Sequence, residues 1–140
     1  MIRFFVILLM ILTASVAQAG DDQSNLPRGA ELVGIARAET KDLTPDQHLK
    51  GELDLLVPKL KQVSSYSSIL IESYFPDLHG KGKDDRIRRA FSLAEQVELY
   101  LKNRHGLQNT FFIAIWEQGN GGGTMPKIRI TTYPKDFFEN

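Results

Sequence analysis

The residues from 67 to 116 read SSILIESYFPDLHGKGKDDRIRRAFSLAEQVELYLKNRHGLQNTFFIAIW, and their hydropathy pattern changes twice along this segment. Ser67–Phe75 is β-prone and apolar on both faces before Pro76, which predicts an interior strand. The apolar side chains that follow recur at three- and four-residue steps, as on one face of a helix, and they are Ile87, Ala90, Phe91, Ala94, Val97 and Leu101. Phe111–Trp116 is again apolar on both faces, so the segment predicts a strand, a helix and a buried strand.

Capping residues indicate where two helices begin and end. Residues 44–47 read Thr-Pro-Asp-Gln, in which Thr44 is expected to be the N-cap, with proline at the first helical position and glutamine completing a capping box. The apolar stripe of this first helix is Leu49, Leu53, Leu56, Val57 and Leu60. The second helix is expected to start at Asp84 or Asp85 and to end at Gly106, because glycine readily forms a helix C-cap.

Two further strands complete the predicted order of elements. Residues 30–38 form a short β-compatible pattern before the first helix, and residues 127–133 form a last strand after a glycine-rich loop. The predicted order is therefore β-α-β-α-β-β. Because each helix has one apolar face to bury, we expect a mixed sheet with two helices on one face, which is an α/β two-layer sandwich. Residues 30–140 are predicted to form this single domain.

The amino-terminal residues are expected not to belong to the domain. Arg3 precedes the apolar run Phe4–Leu12, and residues 17–19 read Ala-Gln-Ala, the small-x-small pattern that signal peptidase cleaves. We interpret residues 1–19 as a secretory signal peptide and residues 20–29 as a flexible leader. The alternative, a retained transmembrane helix, would need about 20 apolar residues. The expected location is the periplasm, with no membrane span after cleavage and no lipid anchor, since the chain has no cysteine.

The composition excludes several classes of function. The 140 residues contain 17 Lys and Arg against 17 Asp and Glu, so the formal net charge is zero and a nucleic-acid binder is not expected. The absence of cysteine excludes disulfides, thiolate zinc sites, iron–sulfur clusters and a cysteine nucleophile. His48, His79 and His105 lack the spacing of metal ligands, and no nucleophile–base pair or phosphate-binding loop is evident. We therefore predict no metal, no cofactor and no enzymatic activity.

Several short motifs together resemble the OmpA-like, peptidoglycan-associated domain family. They are Asp77-Leu78-His79-Gly80, Phe91-Ser92-Leu93-Ala94-Glu95-Gln96-Val97, Tyr100-Leu101, Gly106 and Lys127-Ile128-Arg129-Ile130. The family pattern has a strand ending near T-D-x-x-G, a helix with N-x-x-L-S-x-x-R-A-x-x-V and a later Y-L, a glycine C-cap, and a final strand with R-R-V. The resemblance covers residues 31–134 in element order.

The resemblance also implies a ligand site. Family members hold the diaminopimelate residue of the peptidoglycan stem peptide through a loop Asp, which faces the ammonium group, and a helix Arg, which binds the carboxylate. By this resemblance, Asp77 corresponds to the loop Asp, Gly80 to the motif glycine and Ser92 to the helix serine. Peptidoglycan is therefore the partner that the resemblance implies.

The cation of this site is expected from a position that the family does not use. Aligning the helix serines places Glu95 where the family has its Arg, which reverses the charge. Arg88 or Arg89 lies within two helical turns of Glu95 and is expected to supply the cation, with a lysine of the preceding loop as a further alternative. A different interpretation is that residues 81–89 form a hydrated surface and that Asp77 only forms a turn.

Two hypotheses for the function follow. The first is a secreted, non-enzymatic protein of the periplasm and cell envelope that binds peptidoglycan, and it predicts that Asp77 converges with Arg88 or Arg89. The alternative is a structural subunit of an envelope assembly, such as a secretion or motility apparatus, whose degenerate site has no cation opposite Asp77. Trp116 and Glu117 end a strand expected beside the loop that carries Asp77, where Trp116 either contacts a ligand or packs against a helix.

Overall fold

A computed structural model of the chain describes residues 26, 28–117 and 123–134. Its strands and helices are β1 (Glu31–Arg37), α1 (Gln47–Gln62), β2 (Ser68–Tyr74), α2 (Gly82–His105), β3 (Phe111–Ile115) and β4 (Lys127–Tyr133). This order confirms the predicted β-α-β-α-β-β arrangement and the α/β class. The predicted signal peptide, residues 1–19, and most of the predicted leader, residues 20–29, lie outside the described residues. No helix in the described ranges is long and apolar enough to cross a membrane.

The four strands form one mixed sheet in the order β1-β4-β2-β3. β4 runs antiparallel to β1 and β2, whereas β2 and β3 are parallel neighbours connected through α2. The interior position predicted for Ser67–Phe75 is confirmed, because β2 pairs along both of its edges. The strand predicted at Phe111–Trp116 lies instead at the edge of the described sheet, and its side chains are mostly half-buried. Apolar residues on both faces of a strand indicate that both faces are covered. They do not indicate whether the strand is hydrogen-bonded to neighbours along one edge or both.

Both helices pack on the same face of the sheet, as predicted. Ile69 and Ile71 of β2 and Ile128 and Ile130 of β4 are fully buried on this face. The helices add their apolar stripes to the same cluster, with Leu49, Leu53, Val57 and Leu60 from α1 and Ala90, Leu93, Ala94, Val97 and Leu101 from α2. Removal of this apolar surface from water is the main favourable contribution to holding the two layers together.

The start of α1 corrects the predicted cap. Asp46, and not Thr44, is the N-cap, and its Oδ1 accepts a hydrogen bond from the Leu49 N–H at 2.8 Å. Its Oδ2 accepts the N–H groups of Glu39 and Thr40, each at 2.8 Å. A carboxylate can accept several hydrogen bonds at once, so Asp46 ties the preceding loop to the helix in a way that a single hydroxyl cannot.

The carboxyl end of α2 is as predicted, but its start is not. Gly106 caps the helix in the left-handed conformation at φ 67°, and its N–H donates to a carbonyl of the last turn at 2.9 Å. The helix begins at Gly82, and Lys81 at the N-cap position makes no side-chain capping bond. Asp84 and Asp85, expected as caps, lie in the first turn, where the helix dipole favours negative charge.

A polar cluster joins α1 to α2. The Tyr100 hydroxyl donates to Asp54 Oδ1 at 2.7 Å, and His105 Nε2 lies 2.7 Å from the same oxygen. Burial raises the pKa of Asp54, but the hydrogen bonds from Tyr100 and His105 outweigh it, so that this pKa lies below its ordinary value. These contacts fix the two helices relative to each other.

The face of the sheet opposite the helices carries a buried ion pair. Glu72 of β2 and Arg129 of β4 are direct cross-strand neighbours. Arg129 Nε donates to Glu72 Oε1 at 2.8 Å and its Nη2 donates to Oε2 at 3.0 Å, which is a bidentate arrangement. The Trp116 ring lies over the Arg129 guanidinium, with 4.8 Å between the guanidinium carbon and the ring centre. Trp116 is buried, and its ring packs against this cation of β4.

Candidate functional site

The candidate site lies where β2 and β3 end. Because these strands are parallel neighbours, their carboxyl ends meet at the same edge of the sheet. Asp77 follows β2 in the chain and Glu117 follows β3. The strand that ends near Glu117 was expected beside the loop of Asp77. This is confirmed, since one side chain contacts both Asp77 and Glu117. The carboxyl ends of parallel strands are a common place for ligand sites in α/β proteins.

Arg86 of α2 is the side chain that joins the two acids. Its Nε lies 3.1 Å from Asp77 Oδ1, and its Nη1 lies 3.5 Å from Glu117 Oε1. The Arg86 side chain is 16% exposed, whereas the side chains of Asp77 and Glu117 are 73% and 56% exposed. We refer to these three residues as the Asp77–Arg86–Glu117 triad. Two carboxylates and one guanidinium give the triad one net negative charge at neutral pH.

The register of α2 explains why Arg86 reaches this site. Arg86 precedes Ala90 by four residues and Leu93 by seven, so it continues the buried stripe of the helix toward its amino end. Helical side chains also point back toward the helix amino terminus, which directs Arg86 to the end of the sheet. Gly80 and Gly82 have positive φ angles of 71° and 87°, which allow the sharp turn from β2 into α2.

Arg88 and Arg89, the cations expected opposite Asp77, pair with Asp85 instead. Arg88 Nη2 lies 2.5 Å from Asp85 Oδ1, and Arg89 Nε lies 2.7 Å from Asp85 Oδ2. The hydrogen bond from Arg89 outweighs the opposing effect of burial and lowers the pKa of Asp85. The structure therefore brings neither arginine to Asp77, and the cation beside Asp77 is Arg86.

The remaining residues assigned by the resemblance lie away from the triad. Gly80 is exposed in the loop between β2 and α2, Ser92 is half-buried on α2, and Glu95 is exposed on α2. Glu95 follows Arg86 by nine residues, which corresponds to about 13 Å along a helix axis. Within the described ranges, no hydrogen bond or ion pair joins Ser92 or Glu95 to the triad. Position along the buried stripe, rather than alignment to the family motif, is the sequence signal that identifies Arg86.

Two aromatic side chains lie close to the triad. Tyr74 is the last residue of β2, and Trp116 immediately precedes Glu117. The Nζ atom of Lys127 lies 5.5 Å from the centre of the Tyr74 ring and 5.1 Å from that of Trp116. Burial raises the pKa of Tyr74, and the neighbouring Arg86 opposes this rise. The triad therefore borders a compact group of aromatic rings and cations.

The chemistry of the triad is that of binding by charge and hydrogen bonds. Its exposed carboxylates complement an ammonium group, and its guanidinium complements a hydrogen-bond acceptor. No group of three or more His, Asp or Glu side chains among the described residues is placed to hold a metal ion. Comparison with protein-family models and with curated proteins finds no match for this chain. The resemblance to the OmpA-like family therefore rests on the motifs and on the order of the elements.

Proposed function

We propose that this protein is a non-catalytic, periplasmic protein of the cell envelope with an OmpA-like domain, and that it binds the diaminopimelate of the peptidoglycan stem peptide. The observation that carries the proposal is the contact at 3.1 Å between Asp77 on the β2–α2 loop and Arg86 on α2. The resemblance assigns ligand binding to a loop Asp and a helix Arg, and this pair supplies one of each. In this proposal Arg86 takes the role first assigned to Arg88 or Arg89.

The two charges of the ligand correspond to these two side chains. The ammonium group approaches Asp77, which is 73% exposed, and the adjacent carboxyl group meets the planar guanidinium of Arg86. In the free protein Arg86 is paired with Asp77 and lies 3.5 Å from Glu117, so the ligand replaces internal contacts of Arg86 with contacts of its own. Because the carboxylates are largely in water, each contact contributes about 0.2–1 kcal/mol, so the affinity is modest and falls with added salt.

Cosedimentation with purified diaminopimelate-type sacculi tests the proposal. The wild-type protein should sediment with the sacculi at low salt, and Asp77→Asn and Arg86→Gln should each lower the bound fraction severalfold. Lys61→Gln is the control, because Lys61 is an exposed cation near the end of α1 and lies outside the triad. This variant should sediment like the wild type.

Arg88→Gln separates the two candidate positions of the cation. Since Arg88 pairs with Asp85 and is 69% exposed, its replacement should leave the bound fraction unchanged. Binding that is lost in Arg88→Gln and retained in Arg86→Gln would contradict the assignment of Arg86. A wild-type protein that stays in the supernatant would contradict peptidoglycan binding itself.

The second candidate function is a structural subunit of an envelope assembly, which one observation favours. Three large apolar side chains on the helices are exposed, with Leu55 at 79%, Leu99 at 49% and Phe91 at 40%. Contiguous patches of exposed apolar side chains are typical of surfaces that contact another protein, and these three side chains are the ones on the helices that such a patch would include. If the wild-type protein does not sediment with sacculi, crosslinking from Leu55 and Leu99 positions is the experiment to make next.

A further inference from the structure

The triad holds more negative than positive charge at its surface. Arg86 is 16% exposed between the two acids, whereas Asp77 and Glu117 are 73% and 56% exposed. A ligand that approaches from solvent therefore meets carboxylate oxygens first. Asp77 alone would balance Arg86, so Glu117 is the residue that makes the triad net negative.

This charge balance affects the two halves of a diaminopimelate ligand differently. An ammonium group gains from both carboxylates. A carboxylate has to displace Glu117 from Arg86 Nη1 or lie beside it, and like charges placed close together repel. The second acid therefore strengthens binding of the ammonium group and weakens binding of an adjacent free carboxylate.

A primary amide in place of that carboxylate removes the conflict. Its carbonyl oxygen can accept a hydrogen bond from Arg86, and its NH2 group can donate one to Glu117. Asp77 remains available for the ammonium group. All three side chains of the triad then have a partner of complementary charge or hydrogen-bonding type.

We propose that Glu117 makes this site select an α-amino amide over an α-amino acid, so that the preferred ligand is a stem peptide whose diaminopimelate carboxyl group is amidated. The inference rests on the proposed function and names the form of the ligand. Glu117 acts here as a specificity-determining residue. Asp77 and Arg86 supply the contacts that both forms of the ligand share.

Calorimetric titration with two synthetic stem peptides tests this inference. The peptides carry diaminopimelate and differ only in having a free carboxylate or a primary amide next to its side-chain ammonium group. The wild-type protein should bind the amide about threefold to fivefold more tightly, which is the upper part of the range that one exposed charge contact allows. The preference should decrease as salt is added, because a repulsion between exposed charges is screened.

Glu117→Gln is the decisive variant. It should lose the preference for the amide, because the carboxylate that repels the free acid and accepts a hydrogen bond from the amide NH2 group is gone. Glu31→Gln makes the same charge change at the start of β1, outside the triad, and should keep the wild-type ratio. Circular dichroism of each variant checks that the fold is intact.

The outcomes distinguish this inference from the proposal on which it rests. Equal affinities of the wild type for the two peptides, or a ratio that Glu117→Gln leaves unchanged, would overturn the role of Glu117 and leave peptidoglycan binding supported. Failure of the wild type to bind either peptide would overturn the proposed function and the inference with it. A higher affinity for the free acid would also overturn the inference.

Discussion

The cross-strand ion pair between Glu72 and Arg129 offers a quantitative test of how the sheet is stabilised. The Arg129 side chain is 5% exposed and that of Glu72 is 14% exposed, so both charges are largely removed from water. Two hydrogen bonds, at 2.8 and 3.0 Å, join them in bidentate geometry between the central strands β2 and β4. Each charge therefore depends on the other to offset the free energy of its desolvation.

Removing one partner should cost much more than removing both. Glu72→Gln leaves the Arg129 guanidinium buried without its carboxylate, and such a change lowers the free energy of unfolding by about 3–5 kcal/mol. The double variant Glu72→Met, Arg129→Met replaces the pair with apolar side chains of similar length, and its free energy of unfolding should stay within about 1–2 kcal/mol of the wild type. The difference is large against the roughly 5–15 kcal/mol that stabilise a small domain.

Equilibrium unfolding in urea, followed by circular dichroism, measures these free energies. A double-mutant cycle adds Glu72→Met and Arg129→Met as single variants and gives the coupling energy of the pair. Glu31→Gln on the exposed start of β1 is the matched control, and it should change the free energy of unfolding by less than about 0.5 kcal/mol. If Glu72→Gln costs no more than this control, or if the single changes add up in the double variant, the ion pair does not have the role argued for it.

Two further predictions concern the N-cap of α1 and the contact between β1 and α1. Asp46→Ala should lower the free energy of unfolding by about 1–2 kcal/mol, because it removes the N-cap of α1. Burial raises the pKa of Asp46, but its hydrogen bonds outweigh this and lower the pKa below 3.8. The stability that the Asp46 carboxylate contributes is therefore complete at neutral pH and is lost as the pH falls below about 4. Urea unfolding should show a smaller difference in free energy of unfolding between variant and wild type at pH 3 than at pH 7. Gly34→Ala should destabilise the protein by about 0.5–1.5 kcal/mol in thermal unfolding, because a Cβ at Gly34 would overlap the Leu56 side chain and force it out of its rotamer. Gly51→Ala is the contrasting variant: no atom lies within 4 Å of the added Cβ, and alanine inside α1 should stabilise the protein by about 1 kcal/mol.

The parts of the fold that were predictable from sequence are those set by local periodicity and by a single residue type. The apolar stripes predicted both helices, and Gly106 predicted the end of α2, because few other residues adopt its left-handed backbone at low cost. The cap of α1 was not predictable in the same way. Thr44 and Asp46 are both good capping residues, and the choice between them depends on the N–H groups of residues 39 and 40, which the loop brings to Asp46.

The candidate site was predictable in part for a similar reason. Asp77 and Glu117 each follow a strand, so the parallel pairing of β2 and β3 brings them to one edge. Which arginine lies beside Asp77 depends on how α2 is rotated about its axis. Alignment to a sequence motif gives no information about this rotation. Arg88 lies two residues beyond Arg86 and is turned about 200° away from it around the helix, onto the exposed side.

The same rotation explains why only one of these arginines is in a position to bind a ligand at Asp77. Arg88 lies on the exposed side of α2, where it is solvated and pairs with Asp85 in the same region of the helix. It therefore does not contact the end of the sheet. Arg86 continues the buried stripe and so reaches the edge of the sheet, where Asp77 follows β2 and Glu117 is the second residue after β3. The triad therefore exists only when β2, α2 and β3 have packed together. A ligand that binds all three side chains then stabilises the folded protein by an amount that grows with the logarithm of its concentration above Kd.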